Sequence, residues 1–263
     1  MRLYPVQTEI IKKEFNLVDL VLNSLKKQNL ILEDNDILAL ASKIIAYAEE
    51  RLVKLVDIRP SEKAIKLAKR FLLQPEFAEL ILREANKIYG GVEKAVLTLR
   101  DSVLIANAGI DSKNAPEGYV VLWPKVPERT AYSVREAIRA RTGKHVAVII
   151  VDSSLIPLRI GTVGLALAVS GFNPIRDHRG EVDVFEKTIK ITRHAVADDL
   201  ASAAHLLMGE AAERTPIVVI RDAPVEFGDG VYASREMMMP PAECIFMGTF
   251  ARSLPNWTRK KPH

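Results

Sequence analysis

The stretch that decides the fold is Val103-Leu-Ile-Ala-Asn-Ala-Gly-Ile-Asp111-Ser-Lys-Asn114. Its first four residues are apolar and read as a buried strand. The strand ends in Asn107, Gly109, Asp111 and Asn114, which are small, polar and turn-forming. The pattern recurs at His145-Val-Ala-Val-Ile-Ile-Val151, an apolar strand that ends in Asp152-Ser153-Ser154. A third apolar run, Ile37-Leu-Ala-Leu-Ala41, ends in Ser42-Lys43. Two strand tips that each present an Asp suggest a divalent metal held by oxygen ligands. The competing reading is that both Asp residues cap turns. The three polar tips, at Ser42, Asp111 and Asp152, would most economically surround one cleft.

Outward from these strands, helices and strands alternate irregularly. Leu17 to Leu25 carries apolar residues at helical spacing, with Asn16 as its N-cap and Asp19 at the third helical position. Ser61 precedes an amphipathic helix over Glu62–Phe71, and Pro75 opens another near Glu76–Tyr89, stopped by Gly90-Gly91. Arg100-Asp101 reads as the turn of a hairpin between Val92–Leu99 and Ser102–Ala106. Tyr119–Trp123 is a short strand, Pro124 and Pro127 mark a loop, and Thr130–Arg141 is a helix closed by Gly143. Thr162–Ser170 is small and apolar, and Phe172–Gly180 is a charged loop. Phe185–Arg193 alternates as a strand or strand-like arm, His194–Met208 is an Ala-rich helix, and Pro216–Arg221 is a buried strand. With hairpins among the elements, the pattern predicts α+β, with mixed sheets and helices, rather than a doubly wound parallel sheet.

Composition sets further bounds. The chain has 263 residues, 48% hydrophobic and 27% charged, enough to bury a large core. One cysteine, Cys244, excludes an internal disulfide framework and a cysteine zinc cluster, and it fits a reducing cytoplasm. No apolar run is long enough to span a membrane, and Met1-Arg-Leu-Tyr-Pro5 lacks a signal-peptide core. The net charge of +4 is mild, and part of it lies in Arg259-Lys-Lys-Pro-His263. No basic run is interleaved with aromatics, so nucleic acid is not an expected partner. The positive excess suits a phosphate-bearing ligand or plain solvated surface.

Several blocks resemble the coenzyme F420-0:γ-glutamyl ligase family. They are Asn107-Ala-Gly-Ile-Asp111-Ser-Lys-Asn114-Ala-Pro-Glu-Gly118, Asp152 with Ser153, and Ser170-Gly-Phe-Asn-Pro-Ile-Arg-Asp177 followed by Arg179-Gly180. Ala195-Val-Ala-Asp198-Asp-Leu-Ala201 and Leu206-Leu-Met-Gly-Glu210 complete the set. Their order and spacing agree from about Pro5 to Arg221. The resemblance implies a ligase-like domain over 1–221 with the family's fold, and a C-terminal segment, 222–263, packed on it. It also implies a GTP-dependent ligase that joins L-glutamate to a carboxylate of F420-0 through an acyl phosphate. Magnesium or manganese would serve as cofactor, with potassium as a further candidate ion. The expected partners are small molecules, namely the F420-0-like acid, L-glutamate and GTP, together with a second copy of the chain in a homodimer.

Carried over residue by residue, the resemblance implies Asp111, Asp152, Ser153 and Glu210 as metal ligands. Ser153 stands where the family has a threonine. Asn114, Met208, Gly209 and Thr215 would contact GTP, as would Gln7, Ser42 and Lys43. No catalytic residue is implied beyond the metal site, and His178, His194 and His205 receive no role. Arg159 and Arg176 suit phosphate binding or plain surface, and Asp177 and Asp198 suit structural ion pairs. Three departures stand out. Tyr47, in Ala46-Tyr47-Ala48-Glu49-Glu50-Arg51, replaces a lysine expected at the nucleotide. Ser153-Ser154-Leu155-Ile156-Pro157-Leu158-Arg159 keeps Pro157 and Arg159 but lacks a Gly-Arg pair, and Asp183-Val-Phe-Glu-Lys187 replaces Asp-Leu-Tyr-Gly-Arg. These leave open a related ligase for a different phosphorylated acid, or a non-catalytic nucleotide-binding homologue.

Overall fold

Ile37–Leu40 and Ala147–Val151 are buried on both faces, and they lie side by side as a parallel pair in register from Ile37↔Ala147 to Ala41↔Val151. The computed structural model describes residues 1–11 and 15–253, so the basic end Arg259–His263 and the last part of the 222–263 segment lie outside the described residues. In chain order the elements are β1 (Arg2–Val6), α1 (Leu17–Lys27), β2 (Ile37–Ala41), α2 (Ser42–Ala48), β3 (Leu52–Lys54), α3 (Glu62–Phe71), α4 (Pro75–Glu84), β4 (Lys87–Val92), β5 (Ala95–Arg100), β6 (Val103–Ala106) and β7 (Tyr119–Val121). There follow α5 (Pro127–Thr142), β8 (Ala147–Leu155), β9 (Thr162–Phe172), β10 (Arg176–Asp177), β11 (Arg193–His194), α6 (Val196–Met208), β12 (Ile217–Arg221), β13 (Phe227–Ala233), α7 (Ser234–Met237) and α8 (Ile245–Ser253).

The largest sheet among the described residues has the order β1-β12-β2-β8-β9-β13, and every neighbouring pair except β2-β8 is antiparallel. Strand alternation divides its core in two. Leu38, Leu40, Val148, Ile150 and Val219 face α1, α2 and α5, where Val21, Ile45 and Ile138 are buried. Ile37, Ala39, Ile149, Val151 and Val218 face α6, where Leu200, Ala201 and Ala204 are buried. Covering both faces requires apolar residues at both parities, which is why these strands read as unbroken apolar runs. The protein is therefore α+β with mixed sheets, as its pattern predicts. The segment after Asp222 adds β13, which pairs with β9 at the sheet edge.

A second, smaller core lies under the β4-β5-β6 sheet and the β3-β7 pair, with Phe71, Leu80, Ile81, Val96, Ile110 and Val120. Glu84 bonds two guanidinium groups beside it, Arg51 at 2.6 Å and Arg100 at 2.8 Å. All three side chains are largely buried, so removing Glu84 would leave two buried guanidinium groups without their shared counter-charge.

The helix caps follow the sequence. Asn16 accepts from the Asp19 amide at 3.0 Å, and Ser61 accepts from the Ala64 amide at 3.3 Å. Four expectations are corrected. The helix opened by Pro75 stops at Glu84, and Lys87–Val92 is a strand, because Ile88 and Tyr89 suit pairing and the neighbouring β5 supplies the ladder. Pro127 opens α5 instead of marking a loop, since its fixed φ and missing N–H suit a first helical turn. The strand of Asp152 does not end at Val151: Ser153 and Ser154 pair with Gly164 and Val163 of β9, and β8 runs on to Leu155. Phe185–Arg193 forms no long strand, because the Asp183 carboxylate accepts from the Phe185 and Lys187 amides and closes a turn there.

Candidate active site

Asp111 reaches its place through a left-handed turn. Asn107, Ala108 and Gly109 have φ of 54°, 55° and 72° after β6. For Ala108 that conformation costs about 1–2 kcal/mol. Buried bonds offset it: the Ala108 amide donates to Thr98 Oγ1 at 2.9 Å, its carbonyl accepts from Arg100 at 3.1 Å, and the Val96 amide donates to Asn107 Oδ1 at 2.9 Å. At about 1 kcal/mol net per bond, the three together exceed the strain. Asp111 is then pinned to β7 by backbone bonds in both directions with Val121.

Asp152 comes from inside β8. Just before it the register against β9 shifts, with Ile150 opposite Ala168 and Val151 opposite Ala166. Such a bulge re-aims the side chains beyond it. The Ser153 amide donates to Asp152 Oδ1 at 2.9 Å, and the Trp123 indole Nε1–H donates to Oδ2. Burial pushes the Asp152 carboxyl up to about 6, although these two bonds, the Lys43 charge and the Ser42 hydroxyl all pull it down. Desolvation of the carboxylate is the largest effect.

Lys43, in the first turn of α2, binds Asp111 Oδ2 at 2.6 Å and the Lys113 carbonyl at 3.0 Å. Glu210 follows Gly209, whose φ of 72° ends α6. One Glu210 oxygen accepts from Thr162 and His205, and the other meets Lys113 at 3.4 Å. Burial pushes the Glu210 carboxyl up, but these donors and the Lys113 charge outweigh it and hold the group below its ordinary value.

These groups line one open cavity of about 610 Å³. It collects Ser42, Lys43, Asp111, Asn114, Asp152, Ser153, Met208, Gly209, Glu210 and Thr215. Gln7 is not on this wall. It lines a separate space of about 430 Å³, where its backbone bonds the Gln28 side chain, while its neighbour Thr8 reaches the main cavity. Asn114 sits at φ 57°, donates to the Ala211 carbonyl at 3.1 Å, and receives the Tyr47 hydroxyl on its own carbonyl at 2.8 Å. Tyr47 therefore stands in the cavity wall.

Other expectations move. His205 has a role in place of none, as a donor to Glu210. Asp177 pairs with Arg179, whereas Asp198 has no ion pair among the described residues and accepts from the Ala166 amide of β9 at 2.9 Å. Arg159 and Arg176 are exposed and lie off the cavity wall. Trp123, Thr162 and His205 are the partners that sequence reading missed. Each acts on a residue far along the chain or on the other side of a helix end, and such pairings carry no local pattern.

The donor chemistry fits a hard divalent cation, since Asp111, Asp152, Ser153 and Glu210 offer oxygen alone. Among the described residues, no three carboxylate, imidazole or thiol groups converge as a ready-made metal cluster.

Residues 5–222 match the F420-0:gamma-glutamyl ligase family. The chain belongs to that family. It is 38% identical over 250 residues to the coenzyme F420:L-glutamate ligase of Methanopyrus kandleri, covering 94% of this chain and 97% of that one. It is 39% identical over 216 residues to the enzyme of the same name from Methanocaldococcus jannaschii, covering 82% and 86%. It is 38% identical over 206 residues to the one from Methanothermobacter thermautotrophicus, covering 78% and 82%. The protein is thus a ligase, with its cavity carboxylates inside the matched region. Among the described residues, no helix is long and apolar enough to cross a membrane.

Proposed function

We propose that the protein forms an amide between the amine of L-glutamate and a carboxylate of coenzyme F420-0, with GTP as phosphoryl donor. The observation that carries this reading is the meeting of Asp111, Lys43 and the desolvated Asp152 in one cavity, in a chain of this family. A carboxylate is a poor electrophile until it is phosphorylated. In the proposed reaction, one substrate carboxylate oxygen attacks the γ-phosphorus and GDP leaves. The glutamate nitrogen then attacks the acyl carbon, phosphate departs with that oxygen, and the amine gives up a proton.

The chain's own groups suit these steps. Lys43 is a cation that can pass from Asp111 to a phosphate. Gly209 lets the chain turn at φ 72°, with the Glu213 carboxylate packed where a Cβ would stand. Asn114, Met208 and Thr215 complete the nucleotide side in this reading, and Thr8, the neighbour of Gln7, lies on the same wall. Asp111 and Asp152 would hold magnesium or manganese, with Ser153 and Glu210 beside them and phosphate oxygens completing the shell. A cation there supplies charge neutralisation for the transferring phosphoryl group.

A homodimer belongs to the same proposal. Leu158, Ile160, Val184, Phe185 and Ile191 lie exposed on the β8–β9 tip and the 173–195 arm. Apolar surface of this kind suits a partner of the same chain. One observation favours a second reading, a related ligase for another phosphorylated acid: Tyr47 occupies the cavity wall where a cation was expected.

The test is incubation with F420-0, L-glutamate, GTP and manganese, followed by mass spectrometry. The product should gain one or more glutamyl residues. Manganese-dependent GTP binding with no adduct would contradict this reading and favour the second.

A further inference from the structure

We propose that Trp123 is a positioning residue, a strut that fixes the Asp152 carboxylate through its indole N–H while seating the Asp111 turn on its ring through Gly109. The proposal rests on reading the cavity as the ligase site. Trp123 is 4% exposed and follows β7, two residues beyond Val121, the backbone partner of Asp111. Its Nε1–H donates to Asp152 Oδ2. A Cβ added to Gly109 would lie 2.3 Å from the ring at Cε2 and Nε1, so the turn rests directly on the indole. Two residues past that contact is Asp111.

The ring is clamped elsewhere. The Arg100 guanidinium lies 5.4 Å from its centroid, and Arg51 Nε donates to the Trp123 carbonyl at 2.9 Å. Both arginines are held by Glu84. A tryptophan that only filled core could satisfy its N–H on any backbone carbonyl. This one spends it on a cavity carboxylate whose other oxygen is already held by the Ser153 amide. Asp152 thus loses its freedom to rotate, and one rigid ring sets its place relative to Asp111. Partners behind a metal-binding carboxylate orient it, and their loss weakens metal binding about tenfold or more.

The experiment uses a Trp257→Phe background, in which Trp123 is the one indole of the chain. Mn²⁺ is titrated with GTP present, and tryptophan emission is read beside calorimetry. Mn²⁺ should quench Trp123 with the same midpoint as the heat signal. In the otherwise unaltered protein, Trp123→Phe keeps an aromatic ring but removes the donor. It should weaken Mn²⁺ about tenfold with little change in melting temperature. Emission that stays constant through Mn²⁺ saturation, or parent-like Mn²⁺ affinity in Trp123→Phe, would overturn the strut. The emission arm leaves Trp123 intact, so it decides even if Trp123→Phe does not fold. Quenching in a protein that adds no glutamate would remove the proposed reaction and keep the strut. Glutamate addition with unmoved emission would do the reverse, and no Mn²⁺ response in either signal would overturn both.

Discussion

Asp111 and Asp152 share a cavity but are held in opposite ways. Asp111 stands half-buried just past the turn after β6, with Lys43 on its carboxylate at 2.6 Å. Asp152 stands within β8, where burial pushes its carboxyl up to about 6. The first is paired with a lysine, and the second is held by an indole N–H and a backbone amide. In the proposed reaction the difference suits them to different tasks. Lys43 can leave Asp111 for an arriving phosphate, whereas Asp152 is a fixed anion that the ligand-free fold tolerates at a cost.

The largest effect is expected for Asp152→Asn. Activity should fall at least about a hundredfold, because the fixed anion is lost while the shape is kept. The ligand-free variant should also melt higher at neutral pH, since the amide removes a desolvated charge. A lower melting temperature would contradict the assigned burial cost.

pH acts on Asp152 in a defined direction. Because folding raises the Asp152 pKa, the folded protein takes up this proton before the unfolded chain does. The resulting stability is full below the ordinary Asp value of 3.8 and is lost as pH rises through about 6. The same proton competes with a bound cation. Mn²⁺ affinity measured by calorimetry should therefore fall about tenfold per pH unit below about 6. Affinity that holds level down to the ordinary Asp range would remove Asp152 from the site.

Lys43→Met tests the other carboxylate. KM for GTP should rise about fivefold to tenfold, as expected for losing one charge-assisted bond, with a smaller change in kcat. The smallest effect is expected for Tyr47→Phe, which removes the hydroxyl bond to the Asn114 carbonyl. A change in KM of about twofold to fivefold would fit one neutral bond at the cavity wall, and a larger one would give Tyr47 a direct part in substrate choice.

Much of this was legible in the chain. β2 and β8 could be read because both their faces are covered, which demands apolar runs such as Ile37–Ala41. Asn16 and Ser61 could be read because capping is local chemistry. The convergence of Ser42, Asp111 and Asp152 followed from polar residues at the ends of buried runs, and the structure brings all three to one cavity. Other features depend on distant partners. Lys87–Val92 becomes a strand because β5 is there to pair with it, and β8 passes through Asp152 because β9 continues the ladder. The Trp123–Asp152 bond joins residues 29 apart, and Glu210 is held by a β9 hydroxyl 48 residues away. Neither pairing has a spacing rule. In the arm, the alternation of Ile189 and Ile191 resembles a strand, while Asp183 folds the backbone into a turn.

In the proposed reaction this cavity activates a carboxylate by phosphorylating it. The most direct test labels the acceptor carboxylate of F420-0 with oxygen-18 and follows one round of ligation with GTP and L-glutamate. The released inorganic phosphate should carry one labelled oxygen. Amide formation with all the label left in the organic product and water would contradict it.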